Sequence, residues 1–201
     1  MSAAPAPTMS TPAPTSAAPS PFPSAAALRL EQATWDELEL AFQRGTMPDL
    51  EGLVDWEFRG INRLPLNALP VASLAGIKKF VKGFFRAEAT GGGGSRVMGY
   101  NRPVARNRLD GRWHIADKRF GYYEVYPVDP TARDNHALHA LLLDYGRGGN
   151  KAYDPTAGLR DYLVQIDPTH PDLLLGKAYY AVGAARVRLN YFILERHRRA
   201  P

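Results

Sequence analysis

Val54-Asp55-Trp56-Glu57-Phe58-Arg59 is where the period of this chain changes. Val54, Trp56 and Phe58 fall on one side of an extended backbone and Asp55, Glu57 and Arg59 on the other, the two-residue repeat of a half-buried strand, with Gly60 at its end. Downstream the same kind of segment returns at residues 80–86, 97–105, 119–126, 139–145, 160–167, 173–182 and 187–196, with 112–115 either a further strand or a continuation. Turn signals rich in Gly, Pro and Asn separate these runs at intervals of roughly 8–15 residues, and helical periodicity is scarce. The spacing predicts a mainly β fold of about eight antiparallel strands. An up-and-down β-barrel is preferred over a sandwich because closure removes exposed strand edges.

Upstream of the first strand, Thr34-Trp35-Asp36-Glu37 is a capping box, and Leu38, Ala41 and Phe42 share one face before Gly45. That predicts one helix of about ten residues, too short to stand without packing on something larger. Residues 1–28 hold seven prolines and no charged side chain, with Phe22 and Leu28 the only large apolar groups besides Met1 and Met9. Such a stretch reads as a disordered Ala/Pro/Ser-rich tail, leaving 29–201 as one domain. The tail lacks the basic start and uninterrupted apolar run of a secretion signal. Residues 66–78 suit one helical turn or two. Gly91-Gly92-Gly93-Gly94-Ser95 reads as a hairpin loop, either natural or an engineered flexible linker, whose form it shares.

Certain residue patterns recur in a known group. The stretch from Gly52 through Trp56 to Gly60, followed by antiparallel strands and a last strand Tyr191–Arg196, resembles a lipocalin-like (calycin) barrel. Leu141–Tyr145, Arg160-Asp161-Tyr162 and Leu175-Gly176-Lys177 are similar to the small bacterial barrels named for a GXWXG motif, although Gly52 stands four residues before Trp56 rather than two. The resemblance spans residues 50–198. It implies that Trp56 closes the barrel floor and that Arg196 lies across the indole face, a cation–π contact of about 0.5–2 kcal/mol.

Chemistry is harder to place. Cysteine is absent, which removes disulfides, thiolate nucleophiles and thiolate metal sites. Ser73 and Ser95 are the only serines beyond the tail, and no Gly-x-Ser-x-Gly turn exists. His136 and His139, near Asp134, have a spacing that a strand splits between its two faces, so no metal is expected, and no glycine loop leads into a phosphate-binding helix. Asp144, Asp161, Glu124 and Glu195 are the carboxylates that could turn inward for acid–base work. The tyrosines carry more information: Tyr122, Tyr126, Tyr162, Tyr179 and Tyr191 lie on strands, beside Arg160 or Lys177.

These features point to a cytoplasmic binding protein, without cofactor, for a small hydrophobic or amphipathic ligand with a polar or anionic end. Tyr122, Tyr162, Tyr179 and Tyr191 are expected to line the pocket wall, with Arg160 or Arg102 at the polar end. A monomer or homodimer is expected, and no transmembrane segment. An enzyme using acid–base chemistry in the same pocket is the rival. A third reading is a basic module for nucleic acid or anionic membrane, since the net charge is +5 and Arg96, Arg102, Arg106, Arg108 and Arg112 interleave with Tyr100 and Trp113. Asp110 and Asp117 interrupt that basic run, which weighs against nucleic acid.

Overall fold

Eight antiparallel strands close on themselves in sequence order in the computed structural model, which describes residues 20–64, 78–88, 94–105, 112–151 and 153–201. They are β1 (Trp56–Arg63), β2 (Lys79–Glu88), β3 (Ser95–Pro103), β4 (Phe120–Pro127), β5 (Leu141–Asp144), β6 (Leu159–Gln165), β7 (Leu173–Val182) and β8 (Ala185–Arg199). β8 pairs back onto β1 over residues 56–63, so neither strand is left as an edge. The mainly β, up-and-down barrel expected from the spacing is the fold.

Among the described residues three helices precede the barrel: α1 (Ala25–Gln32), α2 (Trp35–Arg44) and α3 (Leu50–Leu53). α2 begins with the expected capping box, in which the Glu37 carboxylate accepts from the Thr34 amide at 2.7 Å and Thr34 Oγ1 accepts from the Glu37 amide at 3.3 Å. α1 was not legible as a helix. Ser24 caps it by accepting from the Ala27 amide, and Ala27 is buried, so the first turn of structure takes in residues 25–28, which the composition assigned to the tail. Residues 1–19 of that tail, residues 66–77 and Gly91–Gly93 lie outside the described residues.

Two apolar layers share the same sheet. Inside the barrel, Phe58, Phe84, Tyr123, Val125, Leu141 and Leu163 form a closed core, and Leu50, Leu53 and Val54 pack on it from α3 and the turn that follows, plugging one end. Outside, α1 and α2 lie over β5–β8, where Leu38 and Phe42 meet Leu142, Tyr162, Leu175, Tyr191 and Ile193. Strands buried on both faces read as continuous apolar runs, and Leu141-Leu142-Leu143, Leu173-Leu174-Leu175 and Tyr191–Leu194 do so.

Several expected boundaries shift. β1 runs past Gly60 to Arg63, because Gly60 is a passage rather than a stop: a Cβ there would stand 2.3 Å from the Phe80 ring on β2. Residues 112–115 do not form a strand, and only Ile115 bridges to Val104. The strand expected over 139–145 is confined to Leu141–Asp144, after which Tyr145–Arg147 turns as a 3-10 helix. Among the described residues no helix is long and apolar enough to cross a membrane.

Candidate functional site

Inward and outward positions follow from one side chain. Asp161 on β6 points into the barrel, where its Oδ2 accepts from Lys82 Nζ at 3.0 Å. Its neighbours Arg160 and Tyr162 therefore point out. The same parity turns Phe80, Lys82 and Phe84 of β2 inward together, as it does Asn101 of β3 and Ala178 of β7.

The half of the barrel opposite the α3 plug is hollow. A cavity of about 350 Å³ opens there between Phe120 and Leu189, each more than a third exposed. Phe80, Phe192, Leu159 and Ala178 give it an apolar wall. Lys82, Asn101, Tyr145 and Asp161 form a polar cluster against it, and Asn62, Thr156 and Asn190 add polar groups higher up. The volume falls in the range that holds small organic ligands.

That cluster is tightly wired. Lys82 donates to Asp161 Oδ2, to Asn101 Oδ1 at 3.1 Å and to the Tyr145 hydroxyl, and its side chain is only 3% exposed. Tyr145 donates to Asp161 Oδ2 at 3.1 Å, while Asn101 Nδ2 donates to Tyr145 at 3.2 Å and to the Gly121 carbonyl at 2.8 Å. Four rings surround the ammonium, with Tyr123 nearest at 4.7 Å, then Tyr145, Phe192 and Phe80. Burial pulls the Lys82 ammonium below its ordinary pKa, and the Asp161 carboxylate opposes that pull. Burial, reinforced by the charge of Asp161, holds the Tyr145 and Tyr123 phenols well above theirs. A lysine, a carboxylate and a phenol are thus held in one proton-sharing cluster at the floor of an apolar pocket.

None of the six side chains expected to line a pocket touches this cavity. Arg102 lies on the outer face, where it donates to Glu57 Oε1 at 2.8 Å, Asp117 at 2.9 Å and the Ala116 carbonyl at 2.8 Å. Arg160, also outside, bridges Asp134 at 3.1 Å and Asp144 at 3.2 Å. Tyr162 and Tyr179 meet edge to face at 5.5 Å beneath the helices, and His136 stacks on Tyr179. Tyr191 lies under Trp35 at 5.1 Å with its hydroxyl on Glu39. Tyr122 is half-buried on the outer face of β4, where its backbone exchanges hydrogen bonds with the Asn150 side chain. The physical reason differs by residue type: the tyrosines lie on a sheet apolar on both sides, where aromatic alternation marks a buried face without saying which, while the two arginines are drawn outward by carboxylates distant in sequence.

Of the four candidate carboxylates, Asp161 alone reaches the cavity. Asp144 and Glu195 are engaged outside by Arg160 and Arg59 respectively, and Glu124 lies 3.8 Å from Arg96. Lys82, Asn101 and Tyr145 escaped the sequence reading. The usable signal was Phe80-x-Lys82-x-Phe84, a charge on the apolar side of an alternating strand. Trp56 and Arg196 are in contact at the plugged end, with the guanidinium 4.6 Å over the indole and donating to the Gly52 carbonyl at 3.0 Å. Arg106 and Arg108 of the basic run lie outside the described residues, and no group of three or more metal-ligating side chains gathers among those described. No known family model matches the chain, and no curated protein matches it in sequence.

Proposed function

We propose that this protein is an intracellular carrier for a small amphipathic ligand, bound in the open half of the barrel with its polar end toward Lys82, Asp161, Tyr145 and Asn101. The observation that carries the reading is the division of the interior: one half is packed solid, while the other keeps a cavity of about 350 Å³ with one polar cluster in an apolar wall. The resemblance to lipocalin-like barrels, whose interiors hold one small ligand, supports it. Among the described residues, Arg59, Arg102, Arg160 and Arg186 outside the barrel are each paired with buried or half-buried carboxylates, which disfavours a role for them in neutralising phosphates.

The buried Lys82–Asp161–Tyr145 cluster also favours a second reading, an enzyme that moves a proton on an apolar substrate in the same cavity. Both readings require occupancy. Nile red should bind saturably and be displaced by small apolar compounds, and Ala178→Phe, which fills the cavity, should abolish binding while Val182→Phe on the exposed end of β7 leaves it intact. Equal binding to both variants would place the dye elsewhere and remove the carrier reading.

A further inference from the structure

The polar side chains at the floor of the cavity have already committed their hydrogens to one another and to the Gly121 carbonyl. All three protons of Lys82 go to Asp161, Asn101 and Tyr145. Both N–H groups of Asn101 go to Gly121 and Tyr145, and the Tyr145 proton goes to Asp161. Higher up, the Thr156 hydroxyl donates to Asp154 at 2.7 Å, and Asn190 Nδ2 donates to Asn62 Oδ1 and to the Tyr191 carbonyl. What is left over is an acceptor. Lys82 and Tyr145 both bind Oδ2 of Asp161, and Oδ1 has no hydrogen-bond partner among the described residues.

We infer that the cavity selects a neutral hydrogen-bond donor, an alcohol or phenol on an apolar body, whose hydroxyl donates to Asp161 Oδ1. The inference rests on the reading of the cavity as a ligand site, and it reverses the expectation of an anionic end. A carboxylate entering here would find the Lys82 charge already matched, no spare donor in the cluster, and a like charge on Asp161. Burying an unpaired carboxylate is far more costly than burying a hydroxyl that finds its acceptor. An ammonium fares badly for the opposite reason. It would approach the carboxylate whose other oxygen is 3.0 Å from Lys82 Nζ, and so meet a second cation. The rings of Phe80, Phe120 and Phe192 suit an aromatic or aliphatic body.

The test uses one apolar frame with four heads: 2-naphthol, 2-naphthoate, 2-naphthylmethylammonium and unsubstituted naphthalene, titrated into the full chain at neutral pH. The expected result is that 2-naphthol binds about tenfold or more tighter than the other three, a difference of about 1.4 kcal/mol or more. Naphthoate or the ammonium binding as tightly as naphthol would overturn the inference, as would four equal affinities, although the cavity reading would survive. Failure of all four to bind saturably would overturn both. Asp161→Asn removes the charge that matches Lys82, so in that variant naphthoate should overtake naphthol; an unchanged order would also count against the assignment. Should Asp161→Asn lose its near-ultraviolet dichroism, the comparison of the four heads on the unaltered protein still decides.

Discussion

Lys82 is placed where a charge is costly, its side chain 3% exposed and its ammonium among four aromatic rings. Its partner Asp161 is scarcely more accessible, and each neutralises a charge the other could not leave in so dry a place. The pair is therefore expected to behave asymmetrically under mutation. Lys82→Met strands the carboxylate with a single phenol donor and should cost about 3–5 kcal/mol, whereas Lys82→Met combined with Asp161→Leu should lie within about 1–2 kcal/mol of the parent or exceed it. Urea unfolding of both singles and the double closes the cycle. A Lys82→Met cost under about 1 kcal/mol would mean that water reaches the pair and that the cluster is not sealed as described. The sequence did contain the inward facing of Lys82, since a lysine between Phe80 and Phe84 at strand spacing faces whatever they face. What it lacked was the partner: nothing local joins Lys82 to Asp161, 79 residues away.

The strand pairs show how a hollow is kept beside a packed core. Gly176 on β7 stands opposite Phe192 on β8, and a Cβ at position 176 would fall 2.0 Å from the far edge of that ring. The missing side chain lets the ring lie flat over β7 instead of projecting across the cavity, the cross-strand pairing of glycine with an aromatic. Gly176→Ala must push Phe192 off its seat, at a cost of about 1–3 kcal/mol from overpacking, and it should weaken 2-naphthol binding in parallel because Phe192 walls the cavity. Thermal denaturation and the binding titration together check it, and a variant as stable as the parent with full affinity would show the ring is not seated by Gly176. Elements differed in legibility for a related reason. α2 was plain because its capping box is local, and β1 was plain because only one side of Val54–Arg59 is apolar. β5–β8 revealed their existence but not their facing, since α1 and α2 bury the outer side as fully as the barrel buries the inner one. α1 was hidden by its own composition: Ala25-Ala26-Ala27 looked like more tail until packing on β8 gave it a face.

The same double burial gives the whole molecule its response to alkali. Six of the ten tyrosines are held above the ordinary phenol range, and burial is the leading cause for each. Tyr100 is pushed up to about 12, with the Glu57 carboxylate adding to desolvation. Tyr126 and Tyr191 are raised further by hydrogen bonds to Asp144 and Glu39, and Tyr123 and Tyr145 sit inside the barrel beside Asp161. An unfolded tyrosine loses its proton near about pH 10, so above that pH the unfolded chain holds fewer protons than the folded one. The stability these phenols contribute is therefore fully present below about pH 10 and is lost as pH rises through about 12, where Tyr100 itself ionises in the fold. Tyr123 and Tyr145 lie in the inner core and Tyr126, Tyr162 and Tyr191 on the helix-covered outer face, so these five cannot ionise without opening one layer or the other. Tyrosinate absorbance should accordingly rise in two stages. The second should be steep, coincide with loss of far-ultraviolet dichroism, and carry the signal of these five rings. A smooth single titration centred near pH 10 in a chain that keeps its strand signal would mean that water already reaches the phenols, and that neither layer is packed as tightly as the register of β5–β8 requires.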